Sequence, residues 1–357
     1  MSAPAGSIRI AIVGAGAIGR RHIDFIRRVP AYDLVGVADP ATDAASHLRD
    51  EGVRGFTDYR ALLDTARPHA VVVATPNQVH EEVAVACLER GIAVMIEKPI
   101  AHTMASALRL CEAVQRTHGR ALVGHHRRHN PLMRAAREFL QGGGIGRIVA
   151  VAAIDLRRKP DAYFEQAWRR EPGGGPLLIN GIHDVDCLRA LCGEVETVMA
   201  LTANEARSFP VEDTAAVIFG FASGAIGNLT LSDAVQAPWA WEIASGEEPG
   251  YPHQHEDTYF ITGTQGALAI PTLTHWRNQR GGGRGDPFIR EQLSFEPADP
   301  WVEEMRHFAD VIVGRADPLV SVEDGMRTLA TTLAIARSAR EGRPVDVASM
   351  LAADAGA

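Results

Sequence analysis

The chain has 357 residues, of which 46% are hydrophobic and 22% charged, so it can bury large cores and should form two domains. Its formal net charge of −8 disfavours a nucleic acid or an anionic membrane surface as a partner. No apolar run approaches the roughly eighteen residues that a membrane-spanning helix requires.

Neither the cysteines nor the histidine pairs indicate a metal. The pair His253 and His255 has no other candidate ligand nearby, and no signal peptide is recognisable before the first predicted strand. We therefore expect reduced thiols, a cytoplasmic location and no metal site. The four cysteines without metal-ligand spacing are Cys87, Cys111, Cys187 and Cys192.

The N-terminal segment has the pattern of a dinucleotide-binding unit. Residues 8–13 form an apolar, β-branched run typical of a buried strand, and a G-x-G-x-x-G motif joins it to a helix predicted over 18–29. The glycines allow a tight turn and let backbone N–H groups approach a pyrophosphate at the helix N-terminus. The residues predicted to bind the cofactor here are Gly14, Gly16, Ala17, Ile18 and Gly19.

A second apolar strand is predicted over 34–38 and ends in Asp39. A carboxylate about twenty residues beyond the glycine motif can accept hydrogen bonds from a ribose 2′-hydroxyl. The same carboxylate repels a 2′-phosphate, so the sequence favours NAD over NADP.

Strands and helices alternate through the first third of the chain, which predicts a parallel, doubly wound sheet and an α/β Rossmann domain over residues 1–128. Ligands of such sheets bind beyond the carboxyl ends of the strands, where Thr75 and Lys98 fall. The predicted helices cover 42–51, 58–65, 78–90 and 105–117, and the later strands cover 70–74, 93–96 and 121–124.

Beyond residue 145 the strands follow one another without crossover helices, which predicts a large, mostly antiparallel sheet in an α+β domain over 129–357. One helix is predicted over 178–191, and Ser321 caps another that runs to about residue 340. The glycine-rich loop 281–285 receives no role. The predicted strands cover 148–155, 197–204, 215–221, 225–231, 259–262 and 267–270.

Seven short motifs occur in a fixed order, and with them the whole chain resembles the oxidoreductases grouped around glucose–fructose oxidoreductase and inositol dehydrogenase (the GFO/IDH/MocA family). The resemblance implies a Rossmann domain, then a domain that binds substrate and often builds homodimers or homotetramers through its open sheet. It also implies NAD(P)-dependent oxidation or reduction of sugars, inositols and related polyols. The motifs are G-A-G-A-I-G-R-R-H at 14–22, A-T-P-N-x-x-H at 74–80, E-K-P at 97–99, R-R-x-N-P at 127–131, W-R at 168–169, G-G-G-P-L at 173–177 and G-I-H-D-V-D at 181–186.

Lys98 and His183 are the candidate catalytic residues. An amine at the end of a buried strand can polarise a substrate hydroxyl and relay its proton, and an imidazole exchanges protons near neutral pH. The resemblance also assigns Lys98 to catalysis and implies a cis bond before Pro99. The plainer alternatives are a surface lysine and a histidine held by Asp186 on the same helical face; we expect Asp186 to orient a catalytic His183.

The sequence departs from the family at Ile179, where many members carry an aspartate that completes a lysine–aspartate–histidine set. Isoleucine cannot relay a proton. On an α-helix Asn180 lies about 60° from His183, so it could contact the substrate or Lys98. Asp184 is a further substrate-binding candidate, although it should point off this face.

Further site residues follow from the motifs. Glu97 should hold the cofactor or Lys98, and Arg128 should be structural. The resemblance gives cofactor contacts to Thr75, Pro76, Asn77 and His80, and cofactor closure to Trp168 and Arg169, with Trp168 also near substrate. Substrate contacts are expected from His126, Arg127 and Arg157.

Basic residues are frequent in the segments predicted to line the site. They could clamp an anionic substrate such as a sugar acid, or they could be cofactor contacts and ordinary surface charge, which we favour. These residues are Arg127, Arg128, Arg157, Arg158, Lys159, Arg169 and Arg170.

An NAD(H)-dependent dehydrogenase of a sugar, inositol or cyclic polyol is the favoured function. A cis-dihydrodiol or a sugar acid is an alternative substrate. Two other classes of function use the same architecture: a non-catalytic NAD-binding regulator and an NAD-dependent glycosidase. Lys98 and His183 argue against the regulator.

Overall fold

The computed structural model describes residues 7–41 and 53–352. The described chain divides into two compact units. The first comprises residues up to Asn130 together with Ala298–Leu329, and the second comprises Pro131–Pro297 and the residues from Ala330 onward.

The first unit contains a six-stranded parallel sheet in the order β3-β2-β1-β4-β5-β6, which confirms the predicted Rossmann architecture. Four of its strands, β1, β4, β5 and β6, are almost completely buried, because helices cover both faces of such a sheet. The strands are β1 (Ile8–Val13), β2 (Tyr32–Ala38), β3 (Arg54–Phe56), β4 (Ala70–Val73), β5 (Ala93–Glu97) and β6 (Ala121–Gly124).

The crossover helices of the first unit are close to the predicted ones. The first glycine of the motif adopts a left-handed conformation, and the helix that follows begins directly after the second. The helices are α1 (Ala17–Arg27), α2 (Tyr59–Ala66), α3 (His80–Leu88) and α4 (Met104–Thr117), and 3₁₀ turns cover Asn77–Val79 and His126–His129. The helix predicted over 42–51 lies outside the described residues.

Residues 298–329 belong to the first unit, whereas the sequence placed them in the second domain. They contain helix α8 (Pro300–Val313), whose Trp301, Met305 and Phe308 enter the same core as Ile10 and Ile12 of β1. Burial of this apolar face explains why the segment packs against the Rossmann sheet despite its distance along the chain. Helix α9 (Val322–Glu341) follows, and Ser321 Oγ accepts the Asp324 N–H at 3.2 Å as its predicted cap requires.

The second unit contains a ten-stranded, mostly antiparallel sheet, as the spacing of its strands predicts. The path is β15-β14-β13-β12-β7-β10-β9-β8-β16, with β11 paired to β7; β7 and β10 are parallel. The strands are β7 (Ile148–Arg158), β8 (Val195–Ala203), β9 (Thr214–Phe221), β10 (Ile226–Ser232), β11 (Ala234–Trp239), β12 (Tyr259–Gly263), β13 (Ala267–Ile270), β14 (Thr274–Asn278), β15 (Phe288–Gln292) and β16 (Val345–Asp346).

Helices line one face of this sheet. Tyr259 pairs with Ala153, so both side chains lie on one face, and the Tyr259 hydroxyl reaches Asp184 of α6. The other face is partly exposed, since side chains such as Ile218 and Phe260 remain accessible there. The helices are α5 (Pro131–Gln141), α6 (Ile182–Cys192), the short α7 (Trp241–Ala244) and α10 (Ala348–Ala352), and the glycine-rich loop 281–285 joins β14 to β15.

Candidate active site

The glycine motif forms a tight turn whose three glycines have different reasons to be glycine. Gly14 has φ +100°, and a Cβ there would lie 2.5 Å from the Ala74 carbonyl oxygen. A Cβ on Gly19 would collide with the Gly14 carbonyl. A Cβ on Gly16 would meet nothing within 4 Å among the described atoms. The first and third glycines therefore serve packing, while the second leaves space at the exposed start of α1, where a pyrophosphate would approach.

Asp39 is attached to the same turn. Its Oδ2 accepts the Ala15 N–H at 2.7 Å and its Oδ1 accepts the Ala41 N–H at 2.9 Å. Each carboxylate oxygen has a second lone pair, so the group can fix the turn and still accept hydrogen bonds from ribose hydroxyls.

The turn after β4 lies against the glycine turn, because a Cβ on Gly14 would touch both the Ala74 carbonyl and the Thr75 nitrogen. Thr75 Oγ1 is buried and has no hydrogen-bond partner among the described residues. Pro76 is exposed, and Asn77 is half-buried at the start of the 3₁₀ turn. An unsatisfied buried hydroxyl next to the glycine turn fits a bound dinucleotide.

His80 connects this turn to the strand end that carries Lys98. Its Nε2 lies 2.9 Å from the Thr75 carbonyl oxygen and its Nδ1 lies 2.9 Å from the Pro99 carbonyl oxygen. Burial lowers the pKa of His80, although both carbonyl contacts oppose this shift. His80 therefore connects the two turns from a buried position, and its predicted cofactor contact stays a prediction.

Lys98 follows β5, and its bond to Pro99 is cis, as the resemblance implies. The backbone N–H of Lys98 donates to Glu97 Oε2 at 3.1 Å, and Glu97 Oε1 lies 2.6 Å from His22 Nε2. Burial raises the pKa of Glu97, but the His22 hydrogen bond and the charges of His22, Lys98 and His126 outweigh it and lower that pKa. Of the two predicted roles for Glu97, the structure supports holding Lys98.

The 3₁₀ turn after β6 carries the predicted substrate contacts His126 and Arg127, both of which are buried. The His126 ring stacks on Trp301 with centroids 3.8 Å apart. Arg128 Nη2 donates to Asp324 Oδ2 at 3.2 Å, which supports its expected structural role. His126 therefore contributes packing within the first unit, and substrate contacts for His126 and Arg127 stay predictions.

In the second unit, a π-helical turn (Leu177–Gly181) leads into α6. The helix predicted over 178–191 therefore does not begin as a regular α-helix, and the 60° spacing between Asn180 and His183 does not apply. π-Helical turns often occur at functional sites. Asn180 Oδ1 is buried without a hydrogen-bond partner among the described residues, so it remains available to a ligand. Ile179 offers no polar group.

His183 and Asp186 are both buried on α6. Asp184 is also buried, and its Oδ1 accepts a hydrogen bond from the Tyr259 hydroxyl at 2.5 Å. Tyr259 in turn stacks on Trp241 with centroids 5.4 Å apart. Asp184 thus anchors the helix to the sheet, and its predicted substrate contact stays a prediction.

Trp168 and Arg169 lie on a 3₁₀ turn (Ala167–Arg170) against the glycine-rich loop before α6. A Cβ on Gly174 would come within 2.8 Å of Arg169 Cα, so glycine permits this close approach. Trp168 is 49% exposed, so its indole is accessible, and its predicted closure over the cofactor stays a prediction. The Arg169 guanidinium stacks on Tyr163, 3.8 Å from the ring centroid, and its predicted role in cofactor closure stays a prediction.

Three alternating residues of the β7 end, Asp155, Arg157 and Lys159, are buried. Asp155 and Arg157 share the sheet face of Ala153, which is the face toward α6. Arg157 pairs with Glu242 and lies 3.4 Å from Asp155 Oδ2, so its charge is balanced inside the unit.

Lys159 is one of the basic residues of the segments predicted to line the site, but the sequence predicted neither its burial nor its partner. Its Nζ lies 3.5 Å from Asp233 Oδ2 and 4.4 Å from the Tyr163 ring centroid. Burial lowers the pKa of Lys159 to about 8, although the charge of Asp233 acts to raise it. The pairing of Lys159 with Asp233 joins segments 74 residues apart, so no local pattern revealed it.

The described part of the chain shows neither a metal centre nor a membrane span. Residues 7–41 and 53–352 contain no group of three histidine, cysteine, aspartate or glutamate side chains arranged to hold a metal ion. In the same segments, each helix is too short or too polar to cross a membrane.

Comparison with known proteins agrees with this geometry. The profile of an oxidoreductase family with an NAD-binding Rossmann fold matches residues 8–125, and that of the GFO/IDH/MocA C-terminal domain matches residues 133–269. The 1,5-anhydro-D-fructose reductase of Ensifer adhaerens is 25% identical over 95% of this chain and 98% of its own length. The scyllo-inositol 2-dehydrogenase (NAD⁺) of Bacillus subtilis is 25% identical over 95% and 96%.

A crystal structure of a putative NADPH-dependent oxidoreductase from Desulfitobacterium hafniense has the same fold. It superposes with a TM-score of 0.82 at 22% identity and covers 97% of this chain and 99% of its own. Both halves of the sequence thus match one family, in the order and over the segments that the motifs indicate. The chain belongs to the GFO/IDH/MocA family of oxidoreductases and has its NAD-binding Rossmann fold.

Proposed function

We propose that the protein transfers a hydride between NAD(H) and a secondary alcohol or ketone of a sugar, inositol or related cyclic polyol. One observation carries the proposal: His80 contacts both the Thr75 carbonyl of the nucleotide turn and the Pro99 carbonyl beside Lys98. A candidate proton-transfer residue is thereby fixed to the part of the fold that would bind the cofactor. The relatives named above reduce or oxidise an anhydro sugar and an inositol.

When NAD is bound, its nicotinamide ring would serve as the acceptor of the hydride from the substrate carbon. Lys98 would polarise the substrate hydroxyl and take up its proton, with its backbone held by the Glu97 carboxylate. His183 would exchange that proton, because imidazole titrates near neutral pH. Asn180, with an unsatisfied carbonyl oxygen, would accept a hydrogen bond from a second substrate hydroxyl. Trp168 would shield the reaction from water.

We infer that NAD is preferred over NADP. Asp39 is held at the end of β2 by two backbone N–H groups, so its charge stays at the position expected for a ribose contact. The residues directly after it, Pro40 and Ala41, offer no positive charge for a 2′-phosphate.

We propose a neutral substrate for this enzyme. The basic residues at the β7 end are paired within the second unit, Arg157 with Glu242 and Lys159 with Asp233. A cation already paired with a carboxylate has less to offer a substrate anion. The pairing supports a neutral polyol over a sugar acid.

We further propose that the protein forms a homodimer or homotetramer through the exposed face of the second unit's sheet. Across five neighbouring strands, one row of this face is free of charged side chains: Phe260, Ala152, Asn228, Ile218 and Met199. The next row is equally uncharged: Ile154, Thr230, Ala216 and Leu201. Contiguous exposed surfaces without charged side chains, such as these two rows, mark surfaces at which proteins associate.

Light scattering after size-exclusion chromatography tests this assembly. The wild type should elute as a dimer or tetramer, and the double variant Ile218→Asp, Leu201→Asp should elute as a smaller species. An unchanged mass for the variant would place the interface elsewhere.

The thiols Cys87, Cys111, Cys187 and Cys192 are buried and not disulfide-bonded, which supports the proposed cytoplasmic location.

Absorbance at 340 nm tests the enzymatic proposal. Inositols, aldoses, sugar acids and cis-diols are each supplied with NAD and with NADP. NADH formation with a neutral polyol is expected. Turnover confined to sugar acids would remove the neutral-substrate proposal. NAD binding by calorimetry without any turnover would favour a regulator, and sugar release without net NADH would indicate a glycosidase.

A further inference from the structure

We propose that Glu212 is a positioning residue for Asn180 and His183, because its carboxylate holds the first turn of the helix that carries them. The proposal deepens the proposed function, on which its catalytic consequences rest. Glu212 lies outside every sequence motif described above, and the proposed proton transfer gives it no direct part.

The contact is specific to the start of the π-helical turn. The Leu177 N–H donates to Glu212 Oε1 at 3.1 Å. A Cβ on Gly175 would lie 2.5 Å from Glu212 Cδ and closer still to Oε1. The Glu212 carboxylate occupies the space that a side chain at position 175 would fill. This contact explains why the third residue of G-G-G-P is glycine.

The turn needs an acceptor from elsewhere in the chain. Pro176 precedes it and contributes no side-chain hydrogen bond as a cap. The first N–H groups of a helix have no partner within the helix, and a negative group is favourable there. Glu212 supplies such a group from the segment between β8 and β9. Asn180 and His183 follow Leu177 by three and six residues, so a shift of this turn displaces both.

The carboxylate can also exchange protons with solvent. It lines an open pocket of about 490 Å³ together with Asn204 and Arg340. Burial raises the pKa of Glu212, the contact with the Leu177 N–H opposes this, and the charges of Asp233 and Asp213 add to the rise. Arg340, from α9, is the cation that shares the pocket. Since a neutral carboxyl accepts a weaker hydrogen bond, protonation should loosen the turn as the pH falls.

Three variants separate positioning from mere stability. Glu212→Gln keeps the shape and an acceptor without the charge, Glu212→Ala removes the acceptor, and Gly175→Ala displaces the carboxylate from the other side. We expect Glu212→Ala and Gly175→Ala to lower kcat about tenfold with KM within about twofold, the pattern of a misplaced catalytic group. Glu171→Gln is the control. Glu171 is exposed and lies in the loop before the π-helical turn, so this variant should have the kcat and KM of the wild type.

A pH profile of kcat adds a readout that a purely structural role would not move. The acid side of the wild-type profile should contain a step that comes from protonation of Glu212, and Glu212→Gln should lack that step. Profiles that coincide for the two proteins, together with an unchanged kcat in Glu212→Ala, would overturn the proposal.

A measurement without turnover distinguishes failure of this proposal from failure of the proposed function. The imidazole resonances of His183, assigned by their absence in His183→Asn, are followed by NMR against pH. In the wild type they should shift as Glu212 is protonated, and Glu212→Gln should abolish that shift. If no polyol is oxidised but this shift is seen, the positioning role stands while the proposed reaction falls. The same pH dependence of these resonances in both proteins contradicts the positioning role.

Discussion

Glu97 Oε1 and His22 Nε2 lie 2.6 Å apart in the interior of the first unit, where both side chains are almost completely buried. His22 belongs to α1, which begins at the glycine turn, and Glu97 ends the strand before Lys98. The other Glu97 oxygen accepts the Lys98 N–H. One buried carboxylate thus connects the helix of the nucleotide turn to the candidate catalytic lysine.

Replacing Glu97 with glutamine should reduce the free energy of unfolding by roughly 1–3 kcal/mol at pH 7.5, the range for a lost hydrogen bond to a buried charged group. The pKa of Glu97 is lowered in the folded protein, so its contribution is present above the ordinary glutamate pKa and is lost as pH falls. Urea unfolding at pH 7.5 and near pH 4 should show the difference between variant and wild type shrinking on acidification. Glu89→Gln, whose ion pair with Arg116 is exposed, is the control and should cost under about 0.5 kcal/mol.

Five of the six strands of the Rossmann sheet were predictable because each contains a short apolar run. The sequence did not predict β3 (Arg54–Phe56), which has three residues and is largely exposed. The turns that carry the candidate site residues were predictable for the same reason: Asp39 and Lys98 directly follow β2 and β5, and Thr75 lies two residues after β4. Here local pattern and global fold agree.

The attachment of residues 298–329 to the first unit was not predictable, because an amphipathic helix does not specify which sheet its apolar face will cover. The partners of buried charges were equally hidden. Glu97 pairs with His22, and Lys159 pairs with Asp233; the two members of each pair are more than seventy residues apart in the sequence. The π-helical turn before α6 also lacks a sequence signal, so the spacing of Asn180 from His183 was predicted on the wrong helical period.

Gly14→Ala should lower the stability of the fold, whereas Gly16→Ala should weaken NAD binding and leave the stability almost unchanged. Alanine at position 14 must adopt φ +100° with its Cβ against the Ala74 carbonyl, so stability should fall by more than about 2 kcal/mol. Alanine at position 16 has open space, so stability should change by under about 0.5 kcal/mol while NAD binding weakens about tenfold or more. Thermal unfolding and calorimetric titration measure the two effects. If Gly16→Ala binds NAD as tightly as the wild type, the pyrophosphate does not bind at this turn.

Asp39→Asn should shift the preference between NAD and NADP by about tenfold toward NADP, the scale of one lost charge interaction of about 1.4 kcal/mol. Asparagine keeps one acceptor for the Ala15 N–H, whereas Asp39→Ala loses both backbone contacts and should also weaken NAD binding. The ratio of kcat/KM values with the two cofactors is the measurement. If neither variant alters the ratio, Asp39 does not contact the ribose.

Lys159→Met should reveal the titration of a buried amine through stability. The pKa of Lys159 is about 8 in the folded chain against 10.5 for an ordinary lysine, so the unfolded state binds more protons between these values. Stability of the wild type relative to Lys159→Met should therefore rise by roughly 1–2 kcal/mol from pH 7.5 to 9.5. Urea unfolding of both proteins at the two pH values gives this difference. A difference that stays constant would show that Lys159 titrates normally.

Lys98→Met should lower kcat by about a hundredfold or more, on the scale of lost general acid–base assistance. NAD affinity should stay within about threefold, because the glycine turn, Asp39 and Thr75 are untouched. Stopped-flow mixing and calorimetry separate the two quantities. Arg109→Met, which removes an exposed ion pair with Glu81, is the control and should retain wild-type activity.

Transfer of deuterium from substrate to cofactor tests the proposed hydride transfer most directly. The most active polyol from the 340 nm panel is prepared with deuterium on its carbinol carbons and incubated with the wild type and NAD. Mass spectrometry of the reduced cofactor should show one deuterium per NADH, with a sharply reduced yield from Lys98→Met. NADH that carries no deuterium, or an equal yield from Lys98→Met, would contradict hydride transfer assisted by Lys98.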